Sequence, residues 1–201
     1  MSNLLIASRN KDKAHELVAL LGDLPVAMRT LHDVEGVPEI VEDAETLEGN
    51  AIKKATVAFE RTGLPSVADD TGLEVGYLQG APGVYSSRYA GPGASYADNV
   101  RKLIGALKGV PPRRRNARFR CVMAFVSNGG VLEVVEGSSP GTILEAPRGS
   151  GGFGYDPVFL PDGHRQTFAE MDLATKNGLS HRARAALAMR PVLVRYFSGI
   201  R

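Results

Sequence analysis

The sequence predicts a mixed α/β domain, and three observations carry that prediction. A short apolar run, Leu4 to Ala7, passes through a polar loop into a helical repeat of Ala14, Leu17, Val18 and Leu21 that Gly22 closes. Leu47, Ala51, Ala55, Ala58 and Phe59 then stripe a second helix over Thr46 to Thr62, which Gly63 and Pro65 end before the strand Ser66-Val67-Ala68. In the second half, Arg118 to Ser127 and Val131 to Val135 flank Asn128-Gly129-Gly130, a hairpin signal that makes part of the sheet antiparallel.

The remaining elements fill this frame in order. Val26 to Leu31 is a second apolar stretch, and the acidic, proline-containing connector from Glu35 to Glu45 is expected to be exposed. Asp69-Asp70-Thr71-Gly72 is expected to end its strand, and strand ends are where α/β folds place chemistry. Gly80 to Gly93 reads as loop, Ser95 to Leu107 as helix and Thr142 to Leu144 as a further strand. Val158-Phe159-Leu160 and a polar stretch lead to a last helix from about Ser180 to Phe197, in which Pro191 is expected to make a kink or end a first part. No repeat, heptad or long linker divides the chain, so residues 1–201 are expected to form one domain.

Composition narrows the function classes. With 201 residues and 43% hydrophobic content, the chain is long enough to bury a core. A net charge of +2 argues for neither a nucleic-acid nor a membrane partner. The N-terminus lacks a basic leader, and no apolar run approaches the roughly 20 residues that span a bilayer, so a cytoplasmic location is expected. The single cysteine, Cys121, excludes an internal disulfide and sits in an apolar run that fits a buried strand. Arg113-Arg114-Arg115 beside Pro111-Pro112 reads as a solvated loop, with contact to a polyanion as the alternative.

Three segments carry chemistry. Ser8 to Lys13 offers a hydroxyl, an amide and three cations at the start of a helix, where free N–H groups favour an anion; a solvated helix start is the simpler explanation of the loop alone. Asp69 and Asp70 are suited to hold Mg2+ against phosphate oxygens and orient water, or to cap a turn. Alternation along a strand turns the two carboxylates to opposite faces, so one acts and the other supports. Gly151-Gly152-Phe153-Gly154-Tyr155-Asp156-Pro157 combines close-approach glycines, two aromatic faces and an acceptor, which suits a flat ring or a glycine-rich hairpin whose aromatics serve the core. Asn50 and Lys54 share one helix face and add polar groups. No zinc-ligand spacing and no Gly-x-Ser-x-Gly elbow is present.

Taken together and in order, Ser8-Arg9-Asn10-x-x-Lys13, Asn50-Ala51-x-x-Lys54-Ala55, Ala68 to Leu73, Gly80 to Tyr89, Gly151 to Pro157 and Ser180-His181-Arg182 resemble the noncanonical purine nucleoside triphosphate pyrophosphatases, the inosine triphosphatase or XTP/dITP diphosphatase family. The resemblance runs from about Leu4 to Leu193. It implies an elongated α/β fold of two lobes around a long central mixed sheet, with substrate in the cleft between lobes. It implies a Mg2+-dependent, homodimeric hydrolase that cuts ITP, dITP or XTP to the monophosphate and pyrophosphate and so removes deaminated purines from the nucleotide pool.

Residue by residue, it implies that Ser8, Arg9, Asn10, Lys11, Asp12, Lys13, Asn50 and Lys54 surround the triphosphate. Asp70 is the implied catalytic residue and metal ligand, Asp69 its support, and Thr71 a substrate contact. Phe153, Gly154, Tyr155, Asp156, Lys176, His181 and Arg182 are the implied base pocket and its surroundings. The chain departs from the family pattern at Val41, where many members carry a metal-binding glutamate, with Glu42 adjacent as the tentative substitute. It departs again at Gly49, where glutamate is frequent. A pyrophosphatase for another modified nucleotide, a nucleotide sensor and an RNA-binding module are the competing functions.

Overall fold

The computed structural model describes residues 2–128 and 132–199. Its strands and helices are β1 (Asn3–Ile6), α1 (Lys11–Leu21), β2 (Ala27–Thr30), α2 (Leu47–Thr62), β3 (Ser66–Val75), β4 (Pro82–Gly83), α3 (Tyr96–Ala106), β5 (Asn116–Val126), β6 (Leu132–Ile143), β7 (Phe159–Pro161), α4 (Leu173–Asn177) and α5 (His181–Ser198). The strands form one seven-stranded sheet in the order β2-β1-β3-β5-β6-β7, with β4 added to β3. The sheet is mixed: β1 runs parallel to β2 and β3, whereas β3 and β4, and β6 and β7, are antiparallel. The glycines of the anticipated hairpin turn, Gly129 and Gly130, lie outside the described residues.

The chain divides into two compact units. The first comprises Met1–Asp70, Cys121–Gly137 and Arg182–Arg201. Its core joins Leu4, Ile6 and Val67 of the sheet to Leu17 and Leu21 of α1 and to Met189 and Leu193 of α5, with Cys121, Met123 and Phe125 from β5. Full burial of each such side chain stabilises by about 1.5–3 kcal/mol. Cys121 is a buried thiol, as its apolar run suggested. Asn10 caps α1, and Thr46 caps α2 by accepting from the Gly49 N–H; Gly63 closes α2 in the left-handed conformation.

The second unit comprises Thr71–Arg120 and Ser138–His181. Leu73 and Val75 of β3, Val100 and Leu103 of α3, and Phe119, Ile143, Phe159 and Phe168 build its core. A capping box between Ser95 and Asp98 starts α3. Among the described residues no helix is long and apolar enough to cross a membrane.

Five sequence expectations need correction. β3 does not stop at Asp69-Asp70 but continues to Val75. Both carboxylates are matched by cations, and Gly72 admits β4: a Cβ there would lie 2.7 Å from the Gly83 carbonyl oxygen. Of the separate strands expected near Val131 to Val135 and Thr142 to Leu144, Leu132 to Val135 and Thr142 to Ile143 fall on the single strand β6, and Val131 lies outside the described residues. Gly141 makes its pairing with Pro161 possible, because a Cβ would meet the Leu160 carbonyl oxygen at 2.5 Å. Of the two outcomes expected at Pro191, a kink or an end, the end does not occur, because α5 carries on through it. The loop Gly80 to Gly93 contains β4 and a 3-10 turn at Ser86–Arg88.

The arginine run supplies the fifth correction. Arg115 is buried and donates to the carbonyl oxygens of Leu107, Ile143 and Leu144 at 2.7–2.8 Å, so it braces the end of α3 against the end of β6. A guanidinium can saturate three carbonyls at once because its N–H groups fan out in a plane.

Candidate active site

In the first unit, the middle of β3 projects Asp69 and Asp70 into two sets of partners. Asp70 Oδ2 accepts from Asn50 Nδ2 at 3.1 Å and Oδ1 from Lys54 Nζ at 3.2 Å. Asn50 and Lys54 stand one turn apart on α2, which is why one helix face supplies both. The Ala44 N–H donates to Asn50 Oδ1 at 3.0 Å, and that bond turns the amide so that its NH2 faces Asp70. Glu42 Oε1 accepts from Lys54 Nζ at 2.5 Å. The acidic connector is therefore not wholly exposed: Glu42 is half-buried against Lys54, whereas Val41 is 63% exposed.

On the other side of the strand, Asp69 Oδ2 accepts from Arg182 Nε at 3.2 Å and Nη2 at 3.0 Å, and from the Cys121 thiol at 3.8 Å. Arg182 Nη1 donates to Glu16 Oε2 at 2.5 Å. Lys13 Nζ, from α1, lies 3.7 Å from Asp69 Oδ2 and 4.0 Å from Asp70 Oδ1 and so bridges the two carboxylates. Charge alternates along the whole series, from Glu16 through Arg182, Asp69, Lys13, Asp70 and Lys54 to Glu42.

Burial would raise the Asp69 carboxyl, but Lys13 and Arg182 outweigh it and hold the group far below the ordinary carboxylate range. Burial likewise opposes ionisation of Glu42, and Lys54 and Lys13 reverse that into a lowered pKa. For Lys54, burial favours the neutral amine while Asp70 and then Glu42 raise its pKa above the usual lysine value. Arg182 follows the same pattern: burial opposes the charge and Asp69 more than restores it.

The first loop is less uniform than its sequence suggests. Ser8 is buried, and Arg9 is exposed and donates to the Val37 carbonyl oxygen. Asn10 Oδ1 takes the N–H groups of Asp12 and Lys13 at 3.0 and 3.1 Å, so the loop supplies the cap of α1 itself. Lys11 and Asp12 are exposed, and only Lys13 reaches the carboxylates.

In the second unit, the glycine-aromatic segment folds around Asp156. Its Oδ2 accepts from the Phe153 N–H at 2.9 Å and from Lys176 Nζ at 2.6 Å, and Lys176 Nζ sits 4.8 Å from the centroid of the Phe153 ring. Gly152 and Gly154 both have positive φ, and a Cβ at Gly152 would lie 2.2 Å from Asp156 Oδ2. Tyr155 points the other way: it is buried in the core and its hydroxyl donates to the Ser86 carbonyl oxygen at 2.9 Å. Burial pushes that phenol above its ordinary pKa. His181 is also buried, stacked on Phe119 at 4.5 Å between centroids. Thr71 is half-buried on β3.

The structure thus brings together Lys13, Asn50, Lys54, Asp69, Asp70 and Glu42 in one unit, and Phe153, Asp156 and Lys176 in the other. It places Tyr155 and His181 in core packing and Arg182 among carboxylates of the first unit. Glu16 is the member that the sequence reading missed; its one signal is a carboxylate among the apolar positions of α1, a turn after Lys13.

Among the described residues, no group of three or more His, Cys, Asp or Glu side chains is placed to hold a metal by itself. The donors that are present nonetheless fit Mg2+. Glu42 and Asp70 flank the same Lys54 ammonium, and Mg2+ commonly takes one or two carboxylates, the remaining positions going to water and substrate phosphates.

Fold and site together define a mixed α/β protein with paired strand carboxylates set among cations. Comparison with known proteins gives that class a family. Residues 4–192 match the Ham1 family model. A protein of Geobacter sulfurreducens named dITP/XTP pyrophosphatase is 47% identical over 190 residues, covering 94% of this chain and 96% of the relative. The solved structure of a HAM1 protein from Coxiella burnetii superposes with a TM-score of 0.87 at 40% identity, over 97% of this chain and 100% of the other. The Ham1 protein of Staphylococcus aureus gives 0.84 at 32% identity, over 96% and 98%. The chain belongs to the Ham1 family.

Proposed function

We propose that this protein hydrolyses deaminated purine nucleoside triphosphates, among them dITP, ITP and XTP, to the monophosphate and pyrophosphate. The observation that carries the reading is the Asp70 carboxylate, held by Asn50 and Lys54 with Lys13 nearby, in a chain close to a relative named for dITP and XTP.

Phosphoanhydride hydrolysis asks for alignment of water and neutralisation of charge. Asp70 aligns the water and takes its proton, because one oxygen is steadied by Asn50 and the other by Lys54. Lys13 and Lys54 draw negative charge from the phosphates, and Ser8 to Asp12 shape the loop beside them. Asp70 and Glu42 are the carboxylates that would hold Mg2+, which would supply positive charge to the phosphate oxygens. Thr71, which follows Asp70 in β3, is a proposed substrate contact.

Base selection falls to the glycine-aromatic segment. Phe153 offers its ring to the purine, and Asp156 with Lys176 fixes that ring's turn. A 6-oxo purine presents an acceptor where adenine presents an amine, so a fixed backbone N–H of the turn rewards the deaminated base. Arg182 Nε, Nη1 and Nη2 donate to Asp69 and Glu16, which fixes the guanidinium among these carboxylates. Tyr155 and His181 support the pocket from the core. We further propose a cytoplasmic homodimer, which sedimentation of the pure protein checks. The function itself is tested by pyrophosphate release with Mg2+ from dITP, ITP and XTP against ATP and GTP. Preference for the first three is expected, and equal rates on all five would overturn the reading.

A further inference from the structure

Arg182 is placed where a cation is hardest to keep. It is 1% exposed and occupies the first turn of α5, where the helix macrodipole disfavours positive charge. Two carboxylates hold it there: Asp69 takes Nε and Nη2, and Glu16 takes Nη1. Glu16 is itself 4% exposed and comes from α1, the helix that carries Lys13 one turn earlier. The same oxygen of Asp69 that accepts from Arg182 lies 3.7 Å from Lys13 Nζ. Arg182 and Lys13 therefore compete for one carboxylate, and the balance of that competition sets how far Lys13 leans toward Asp70, 4.0 Å away.

We infer that Glu16 is a positioning residue for hydrolysis: by neutralising Arg182 it leaves Asp69 able to hold Lys13, and so limits the positive charge on Asp70. This rests on the proposed pyrophosphohydrolase reading, in which Asp70 aligns the attacking water. Removing the Glu16 charge makes Asp69 the sole carboxylate balancing Arg182 in this series. Lys13 then turns toward Asp70, which already carries Lys54. A carboxylate pulled between two ammonium groups is drawn off its alignment with the water. Lys54 keeps its place and Lys13 keeps its charge, so substrate binding changes less than the chemical step.

The test is Glu16→Gln, which keeps shape and an acceptor oxygen for Arg182 but removes the charge. Pyrophosphate release from dITP with Mg2+ is expected to show kcat lowered roughly tenfold or more, the order that small misplacements produce, with KM within about threefold. Activity is referred to folded protein by thermal melts, so a loss that only mirrors the folded fraction overturns the inference. So does unchanged kcat, or a raised KM with kcat retained. In a Lys13→Gln background the Glu16→Gln effect on kcat should largely vanish, whereas independent roles would multiply. If Glu16→Gln does not fold, Glu16→Asp, which keeps the charge but withdraws the carboxylate by one methylene, is measured for the same kcat and KM split. A wild-type protein that releases no pyrophosphate from dITP overturns both readings; an active wild type matched by Glu16→Gln overturns this one alone.

Discussion

The charged series of the first unit and the glycine-aromatic segment of the second both bury polar groups, yet different physics holds each in place. In the first, order comes from alternation: each carboxylate from Glu16 to Glu42 has a cation on at least one side, and rigid helices and strands carry the partners. In the second, order comes from backbone shape. Positive φ at Gly152 and Gly154 wraps the chain around one carboxylate, Asp156, which then accepts a backbone N–H and a lysine. The two regions are accordingly vulnerable to different changes. A charge change should spread along the first, whereas a single added carbon should spoil the second.

Three substitutions test that contrast. Asp70→Asn removes the group that takes the proton, and kcat for pyrophosphate release should fall by about 10²–10⁴-fold, the usual worth of a positioned base. Near wild-type turnover in the Asp70→Asn enzyme would place the base elsewhere. Lys54→Met preserves length but leaves Asp70 and Glu42 facing each other without their shared cation. Turnover should drop by about 10²-fold, and denaturant melts should show a stability loss of about 3 kcal/mol, the low end for breaking a buried pair. Gly152→Ala should have the smallest effect on catalysis. Its Cβ displaces the Asp156 carboxylate, so KM for dITP should rise about fivefold, the worth of one hydrogen bond, with kcat retained. A kcat loss there comparable to that of Lys54→Met would erase the distinction between the two regions.

Much of this was legible before any coordinates, but unevenly. The amphipathic stripes and caps of α1, α2 and α3 are local signals: α2 and α3 begin and end within a residue of their expected places, whereas α1 ends where expected but begins at Lys11, three residues before its stripe. Asn50, Lys54, Asp69 and Asp70 stood out because charged or amide side chains near apolar stripes and strands need a reason to be there. Arg182 also stood out, but its partners lie 113 and 166 residues away in sequence, beyond the reach of any local pattern. Arg115 misled for the same reason: beside two prolines it looks like loop, and only the carbonyls of Leu107, Ile143 and Leu144 make a buried guanidinium stable. Tyr155 and His181 lie in blocks that the sequence singles out, and the structure adds that both rings are buried, Tyr155 in the core of the second unit and His181 against Phe119.

The α/β class, the helix limits, the family blocks and the pairing of Asn50 with Lys54 follow from the chain's residues without coordinates, because periodicity, capping and i, i+4 spacing are short-range physics. Packing of the whole chain was needed to show that β3 runs on through its aspartates, that Arg182 faces Asp69 and Glu16, and that Lys13 stands between the two aspartates. A buried charge is stable only beside its counter-charge, and which residues become neighbours is settled by how distant segments pack.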